Sequence, residues 1–294
     1  MKIETKKISL PILEEKKVCL FIKRIDKVHS FVSGNKWFKL KYNLLEAEKQ
    51  GFNTLLTFGG AYSNHIAATA FAAHEKGLKS IGIIRGEEHL PLNTTLRFAI
   101  ENGMKLHYVS RNYYKEKTSA DFLEKLNVHF GDFYLIPEGG SNELAIKGAT
   151  EILDSNDNQD YICCAVGTGG SIAGIINGSN DKQTVIGFPA IKGFEQLEKE
   201  INNWTNATNY KFINEYVGNG YAKINKDLVA FINEFNTLHN IPLDAIYNGK
   251  MFKGVLDLVS KDYFPKGSSI LAIHTGGLQG NKGMSERLGV SLPS

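Results

Sequence analysis

The residues best suited to chemistry lie in three short segments that combine glycine with serine, threonine, asparagine or histidine. Each follows a run of apolar residues typical of a buried strand, and the segments are 59–65, 167–171 and 274–277. In an open α/β sheet, ligands bind beyond the carboxyl ends of the strands, where helix N-termini present unpaired N–H groups. The placement of glycine therefore indicates tight turns around a ligand and not flexible linkers.

The segment Gly167-Thr168-Gly169-Gly170-Ser171 is suited to binding a phosphate group, because small residues allow successive backbone N–H groups to converge on an anion. It lacks the third glycine of a dinucleotide-binding motif, since Ile172 stands there, and the Gly-Lys-Ser/Thr of a Walker A loop does not follow. The segment therefore predicts a site for a small phosphate ester, with a plain tight turn as the alternative.

Ser63 follows a double glycine, which invites comparison with a serine hydrolase. The Gly-x-Ser-x-Gly elbow of those enzymes is absent, because Ala61 and His65 occupy the two glycine positions. Ser63 and Asn64 are both favoured N-caps of a helix. A helix that begins near Ser63 would also hold a carboxylate with the N–H groups of Ser63, Asn64 and His65, so a cap and a ligand site are compatible here.

Lys36 lies where a loop is predicted to enter a helix, between Asn35 and Trp37. A single lysine is usually a solvated surface charge, and this is the alternative interpretation. Here glycine, asparagine and a bulky aromatic residue surround the lysine, which indicates an enclosed site. Burial would lower the pKa of its amine and make it a usable nucleophile.

Short apolar runs alternate with helix-like segments along the chain, the pattern of parallel sheets covered by helices on both faces. Strands are predicted at residues 18–22, 54–58, 80–84, 105–109, 133–136, 161–166, 184–188, 211–217 and 269–273. The clearest helices are predicted at residues 37–50, 63–76, 93–101, 144–153 and 226–239. These elements place the three glycine-rich segments at the carboxyl ends of strands.

The charge balance and the cysteines exclude several classes of protein and site. With 34 Lys and Arg against 31 Asp and Glu, the formal charge is +3, without the basic excess typical of nucleic-acid binding. The N-terminus is charged and no apolar stretch is long enough to span a membrane, so a cytoplasmic protein is expected. Cys163 and Cys164 are adjacent in an apolar run, which favours buried thiols over a disulfide, and no metal site is predicted.

Taken together, three motifs resemble those of the 1-aminocyclopropane-1-carboxylate deaminase/D-cysteine desulfhydrase family of fold-type II pyridoxal 5'-phosphate (PLP) enzymes. They are Gly34-Asn35-Lys36, Ser63-Asn64-His65 after a double glycine, and the loop 167–171, in that order. Two tyrosines also match the family pattern: Tyr221 follows Gly220, and Tyr247 precedes a Gly-Lys pair. The resemblance covers about residues 22–277, nearly the whole chain.

The resemblance implies an α/β fold like that of the tryptophan synthase β subunit, with two open, twisted, mainly parallel sheets and helices on both faces. It implies a large PLP-binding domain formed by residues 1–39 and 141–294, and a smaller inserted α/β domain formed by residues 40–140. It also implies that the chain forms a homodimer and that its substrate is a small amino acid.

The same resemblance implies a role for each candidate residue. Lys36 would form the imine with PLP, and Asn64 would hydrogen-bond the phenolic oxygen of the cofactor. The phosphate would be held by Asn35 and by Gly167, Thr168, Gly169, Gly170 and Ser171. The substrate side would be lined by Ser63, Asn64, His65, Tyr221 and Tyr247, of which Ser63 and the two tyrosines would act with Lys36 in catalysis.

The group that faces the pyridine nitrogen of PLP divides the family by chemistry. A cyclopropane substrate has no α-proton to remove, so opening its ring needs a strong electron sink. The resemblance implies that in the deaminases a carboxylate, directly after the second tyrosine, keeps the pyridine nitrogen protonated. Here the neutral Asn248 follows Tyr247, whereas Thr275, in His-Thr-Gly-Gly, matches the desulfhydrase-type members. A neutral partner leaves the nitrogen weakly basic, which suits β-elimination of a good leaving group.

The expected activity is therefore D-cysteine desulfhydration to pyruvate, ammonia and sulfide. Deamination of 1-aminocyclopropane-1-carboxylate to 2-oxobutanoate and ammonia is the alternative within the family. Tyr62 stands where family members commonly have glutamine and is expected to crowd or re-aim the substrate pocket. A non-catalytic protein that binds a phosphate ligand is the alternative from another class, although Lys36, Tyr221 and Tyr247 are all present.

Overall fold

The computed structural model describes residues 2–191, 193–218, 220 and 223–293. Its strands are β1 Thr5–Ile8, β2 Cys19–Lys23, β3 Thr54–Gly60, β4 Lys79–Arg85, β5 Met104–Val109, β6 Tyr134–Ile136, β7 Tyr161–Val166, β8 Thr184–Pro189, β9 Tyr210–Phe212 and β10 Ser269–Ile273. Its α-helices are α1 Pro11–Lys16, α2 Asn35–Lys49, α3 Asn64–Glu75, α4 Thr94–Glu101, α5 Ala120–Phe130, α6 Glu143–Thr150, α7 Gly170–Gly178, α8 Glu195–Asn203, α9 Lys226–His239, α10 Asn248–Ser260 and α11 Gln279–Leu288. Within the described ranges, none of these helices has the length and apolar character that a membrane span needs.

The described strands form two separate sheets. A six-stranded sheet has the order β1-β2-β10-β7-β8-β9, in which β1 is antiparallel to β2 and the other neighbours are parallel. A four-stranded sheet has the order β5-β4-β3-β6 and is parallel throughout. Parallel neighbours need crossover connections, which the helices supply. The predicted fold of two mainly parallel sheets covered by helices is confirmed.

The central strands are buried on both faces, as parallel strands between two layers of helices must be. Strand β7 shows this directly, because successive side chains of a strand point to opposite faces. Cys163 packs into the apolar cluster on one face of the larger sheet and Cys164 into the cluster on the other. Both thiols are fully buried, which confirms that they are strand residues of the core.

Helix α2 connects the two sheets. Its Phe38 packs against the core of the larger sheet, while its Leu40 and Ala47 pack against the smaller one. All four strands of the smaller sheet lie within residues 54–136. The boundary predicted between residues 39 and 40 falls inside α2, and the division into domains stays a prediction.

Two edge strands differ from the sequence predictions. Strand β9 is Tyr210–Phe212 instead of residues 211–217, because it pairs with β8 at three positions and the chain then turns away. The apolar pattern does not predict β1, whose Thr5-Lys6-Lys7-Ile8 contains two lysines. Charged residues are common on edge strands, where they oppose pairing with other chains, and they mask the strand signal there.

Candidate active site

The N-terminus of α2 lies directly against the end of β10. Gly34 has a φ of +64°, and a Cβ atom at this position would lie 2.0 Å from the backbone oxygen of Thr275. The N–H of Asn35 donates to that same oxygen at 3.2 Å. Position 34 therefore requires glycine, for its conformation and for the close approach. The contact fixes Lys36, the second residue of α2, beside the loop that follows β10.

The amine of Lys36 is enclosed and only weakly hydrogen-bonded. Its Nζ donates to the backbone oxygen of Gly139 at 3.4 Å, which is long for such a bond. Burial lowers its pKa from 10.5 to about 8. At pH 7 about a tenth of the amine is then unprotonated, far more than for a solvated lysine. Lys36 is therefore suited to act as a nucleophile and as a base.

The loop after β7 lies beside α2 and opens into α7. A Cβ atom on Gly170 would lie 2.9 Å from Oγ of Ser141 and 3.1 Å from Nζ of Lys39, so a side chain there would displace these two groups. The Nδ2 of Asn35 donates to Oγ of Ser171 at 2.7 Å. Since the first N–H groups of a helix have no partner within it, α7 presents backbone donors at the same place. The loop thus combines backbone donors with side-chain hydroxyls and Asn35.

Lys39 lies at this loop and is the main site residue that the sequence reasoning missed. Its side chain is 1% exposed, and Nζ donates to Oγ of Ser141 at 2.8 Å and to Oγ1 of Thr168 at 3.4 Å. Burial, and then the charge of Lys36, hold its pKa well below the usual range. Lys36 and Lys39 are three positions apart, which places them on one face of α2. This spacing is the signal in the sequence that could have identified Lys39.

These groups fit the phosphate of PLP. A buried amine bonded to neutral hydroxyls lacks a counter-charge, and burying a charge without one is costly. A phosphate would supply that charge, and it would accept from Lys39, from the hydroxyls of Thr168 and Ser171 and from the N-terminus of α7. The segment 167–171, predicted to bind phosphate, is therefore joined by Lys39 and Ser141.

On the other side of Lys36, the N-terminus of α3 forms part of the pocket wall. Ser63 caps α3, its Oγ accepting from the N–H of Ile66 at 3.3 Å. Asn64 lines the pocket together with Lys36, Gly277 and Gln279. Its Oδ1 accepts a hydrogen bond from Gln279, so the Nδ2 of Asn64 is the group left to donate to a ligand. Gln279 begins α11 and was not predicted as a site residue.

His65 does not present its side chain to the pocket, which corrects the prediction that it contacts substrate. The ring is 2% exposed, and its Nε2 lies 2.8 Å from Oγ1 of Thr57. Because Thr57 donates to the backbone oxygen of Ile136, it accepts from Nε2–H of His65. Burial, and then the charges of Lys36 and Lys39, hold the pKa of His65 well below its usual range. Only its backbone N–H, in the first turn of α3, remains suited to a substrate carboxylate.

Asn248 is also corrected, because its amide is occupied within the protein. The side chain is fully buried, and its Nδ2 donates to Asp244 at 2.6 Å and to the backbone oxygen of Gly276 at 2.8 Å. Its Oδ1 accepts from the N–H of Thr275 at 3.0 Å and lies 3.2 Å from Oγ1 of Thr275. Asn248 therefore lies behind Thr275 and cannot be the direct partner of a ligand.

Three tyrosines were singled out by the sequence. The ring of Tyr247 lies near the loop 167–171, since a Cβ atom on Gly167 would lie 3.1 Å from it. Tyr221 lies outside the described residues. Tyr62 packs against α11, where a Cβ atom on Gly283 would lie 2.9 Å from its ring. The Tyr62 ring therefore lies against α11, and its effect on the substrate pocket stays a prediction.

Comparison with known proteins identifies the family of the chain and its cofactor. A sequence profile of the family described as pyridoxal-phosphate dependent enzyme matches residues 3–276. The chain belongs to this family. In this PLP-dependent enzyme, Lys36, Asn64 and the loop 167–171 lie at the N-terminal ends of α2, α3 and α7.

Individual relatives of this PLP-dependent enzyme show which members of the family it resembles. A putative 1-aminocyclopropane-1-carboxylate deaminase of Pyrococcus abyssi is 31% identical over 290 residues, covering 92% of this chain and 87% of the relative. The mitochondrial bifunctional D-cysteine desulfhydrase/1-aminocyclopropane-1-carboxylate deaminase of Arabidopsis thaliana is 32% identical over 301 residues, covering 89% of this chain and 73% of the relative. The crystal structure of an ACC deaminase homologue has a TM-score of 0.84 at 27% identity, covering 98% of this chain and 93% of that one. The family resemblance, the fold type and the PLP cofactor are confirmed.

Proposed function

We propose that the enzyme catalyses β-elimination from D-cysteine, giving pyruvate, ammonia and sulfide. The observation that carries this proposal is the neutral Asn248, held behind Thr275 by its own hydrogen bonds. A hydroxyl, and not a carboxylate, is then the side chain offered to the pyridine nitrogen. Elimination of a thiol from a substrate with an acidic α-proton needs a weaker electron sink than opening a cyclopropane ring.

Bound PLP supplies the electron sink that stabilises charge at the α-carbon. Lys36 would attach the cofactor and would hold the α-proton on its Nζ, for which a pKa of about 8 is well matched. Lys39, Thr168, Ser171 and Asn35 would anchor the phosphate. These contacts would orient the cofactor with respect to Lys36.

The N-terminus of α3 would bind and orient the substrate carboxylate. The N–H groups of Asn64 and His65 belong to the first turn of this helix, where the helix dipole favours an anion. Nδ2 of Asn64 would donate to the phenolic oxygen of PLP. Since Oγ of Ser63 accepts from the N–H of Ile66, its own proton is available for the substrate. Tyr247 and Tyr221 are proposed as further acid/base or orienting groups.

Sulfide release from D-cysteine tests the proposal. Purified holoenzyme is expected to produce sulfide and pyruvate in equal amounts, and to prefer D-cysteine over L-cysteine and over 1-aminocyclopropane-1-carboxylate. Sulfide is measured colorimetrically and the 2-oxoacid by a coupled dehydrogenase. Absence of sulfide at saturating D-cysteine would contradict the proposal.

Deamination of 1-aminocyclopropane-1-carboxylate is the second candidate, because the Pyrococcus relative is named for it and the Arabidopsis relative for both activities. Release of 2-oxobutanoate from the ring substrate, without sulfide from D-cysteine, would favour it. A non-catalytic role is not favoured, since Lys36 is present with a lowered pKa. The homodimer and the cytoplasmic location stay predictions.

A further inference from the structure

We propose that Asp244 is a positioning residue that orients the hydroxyl of Thr275 through Asn248. In this arrangement Thr275 accepts a hydrogen bond from the pyridine nitrogen of PLP, which is therefore protonated. The inference rests on the proposed function in one respect, namely that PLP binds with its ring nitrogen toward Thr275.

Asp244 is a buried carboxylate, 2% exposed, in the turn before α10. Its Oδ2 accepts from the N–H groups of Ile246 at 3.0 Å and Tyr247 at 2.8 Å. Its Oδ1 accepts from the N–H of Asn248 at 2.9 Å and from Nδ2 of the same residue at 2.6 Å. Each hydrogen bond that the described residues donate to this carboxylate therefore comes from an amide, and its negative charge faces Asn248.

The orientation of the Asn248 amide follows from its partners. Its Nδ2 faces Oδ1 of Asp244 and the backbone oxygen of Gly276, which can only accept. Its Oδ1 faces the backbone N–H of Thr275, which can only donate. A flipped amide would oppose donor to donor and acceptor to acceptor at these positions. Asp244, together with the backbone groups of Gly276 and Thr275, thus fixes Asn248 with its oxygen toward Thr275.

The hydroxyl of Thr275 is oriented in turn. Its Oγ1 lies 3.2 Å from Oδ1 of Asn248, and only the hydroxyl carries a proton between these two oxygens. Thr275 therefore donates to Asn248 and keeps its lone pairs for a third group. A lone pair can bind a protonated pyridine nitrogen but repels an unprotonated one.

The charge of Asp244 also lies close to the pocket. A Cβ atom on Gly277, which lines the pocket, would lie 3.2 Å from Cγ of Asp244 and 2.8 Å from Nδ2 of Asn64. One glycine therefore separates the carboxylate from the space beside Asn64, and charges interact strongly where water is excluded. The proposal revises the expectation that the neutral Asn248 leaves the nitrogen weakly basic. A hydroxyl acceptor still holds the proton less firmly than a direct carboxylate, which is consistent with elimination.

Nuclear magnetic resonance of holoenzyme loaded with PLP labelled with ¹⁵N at the ring nitrogen tests the inference. The wild-type enzyme is expected to show the pyridinium signal with its directly bonded proton. In Asp244→Asn the negative charge is removed and the NH₂ group of the new amide opposes amide donors. The hold on Asn248 is thereby weakened to its two backbone partners, and the bonded proton is expected to be lost. Thr275→Val, which removes the hydroxyl and keeps Asp244, is expected to lose the same signal.

Asn281→Ala is the matched control. Asn281 is 1% exposed and holds the same turn, accepting from the N–H of Ala245 at 3.2 Å and donating to the oxygen of Leu243 at 2.9 Å. This variant is expected to unfold at a lower temperature yet keep the ring-nitrogen proton. An unprotonated nitrogen in the wild type, or an unchanged signal in Asp244→Asn, would overturn the inference alone. Failure of the wild type to bind PLP would overturn the proposed function as well.

Discussion

Lys36→Ala is expected to lose the absorbance band of covalently bound PLP and about a thousandfold or more of kcat, because one amine both attaches the cofactor and transfers the α-proton. The pKa of about 8 in the wild type supports both roles, since it keeps the amine partly unprotonated at neutral pH. The spectrum of the protein reconstituted with PLP and the rate of sulfide release measure the two losses separately.

Lys41→Ala is the control for this variant. Lys41 lies on the same helix, one turn and one residue further along, and its Nζ pairs with Glu151 at 2.6 Å on the surface. It is expected to keep the band and the activity, because an exposed ion pair contributes little. Partial recovery of turnover in Lys36→Ala by added methylamine would support the role of the missing amine. Unreduced turnover in Lys36→Ala would contradict the assignment.

Lys39→Met is expected to weaken PLP binding by about 10- to 100-fold, the loss of one charged hydrogen bond to phosphate. The protein without cofactor is expected to be at least as stable as the wild type, because the buried amine has only hydroxyl partners there. Its pKa is lower in the folded than in the unfolded chain, so the wild type loses stability as pH falls below the pKa of a free lysine. The advantage of the variant should therefore grow toward lower pH.

PLP titration followed by fluorescence, and thermal unfolding with and without PLP, measure these two effects. Lys41→Met provides the matched change at a surface position of the same helix. An equal affinity for PLP in Lys39→Met and the wild type would show that Lys39 does not bind the phosphate. Lower stability of Lys39→Met without cofactor would show that the amine is stabilising by itself.

The sequence predicts the architecture of this enzyme well because strand periodicity and glycine placement are local signals. The strand predicted at 161–166 has those same bounds in the structure, and the turn 167–171 that follows it enters α7. The residues next to Lys36, namely Gly34, Asn35 and Trp37, also indicate that its amine is enclosed. Edge strands are harder to predict, because the two lysines of β1 interrupt the apolar pattern that would indicate a strand paired with β2.

Contacts between distant parts of the chain account for what the sequence does not predict. In the sequence, Lys39 looks like any lysine of a helix. Only the fold places Ser141 and Thr168, more than 100 residues away, beside its amine. Gln279 reaches Asn64 only because the first residues of α11 and α3 meet in the fold. Asp244 belongs to no sequence motif, and its proposed role follows from its hydrogen bond with the amide of Asn248. Such residues are recognised by their partners, which the fold alone supplies.

The most direct test of the account is to locate the lysine that binds PLP. Borohydride reduction of the holoenzyme fixes the imine as a stable amine, and peptide mapping by mass spectrometry then identifies the modified residue. We expect the pyridoxyl group on Lys36 and no comparable modification of Lys39, which is proposed to bind the phosphate. A pyridoxyl group on Lys39 or on another lysine, with Lys36 unmodified, would contradict it.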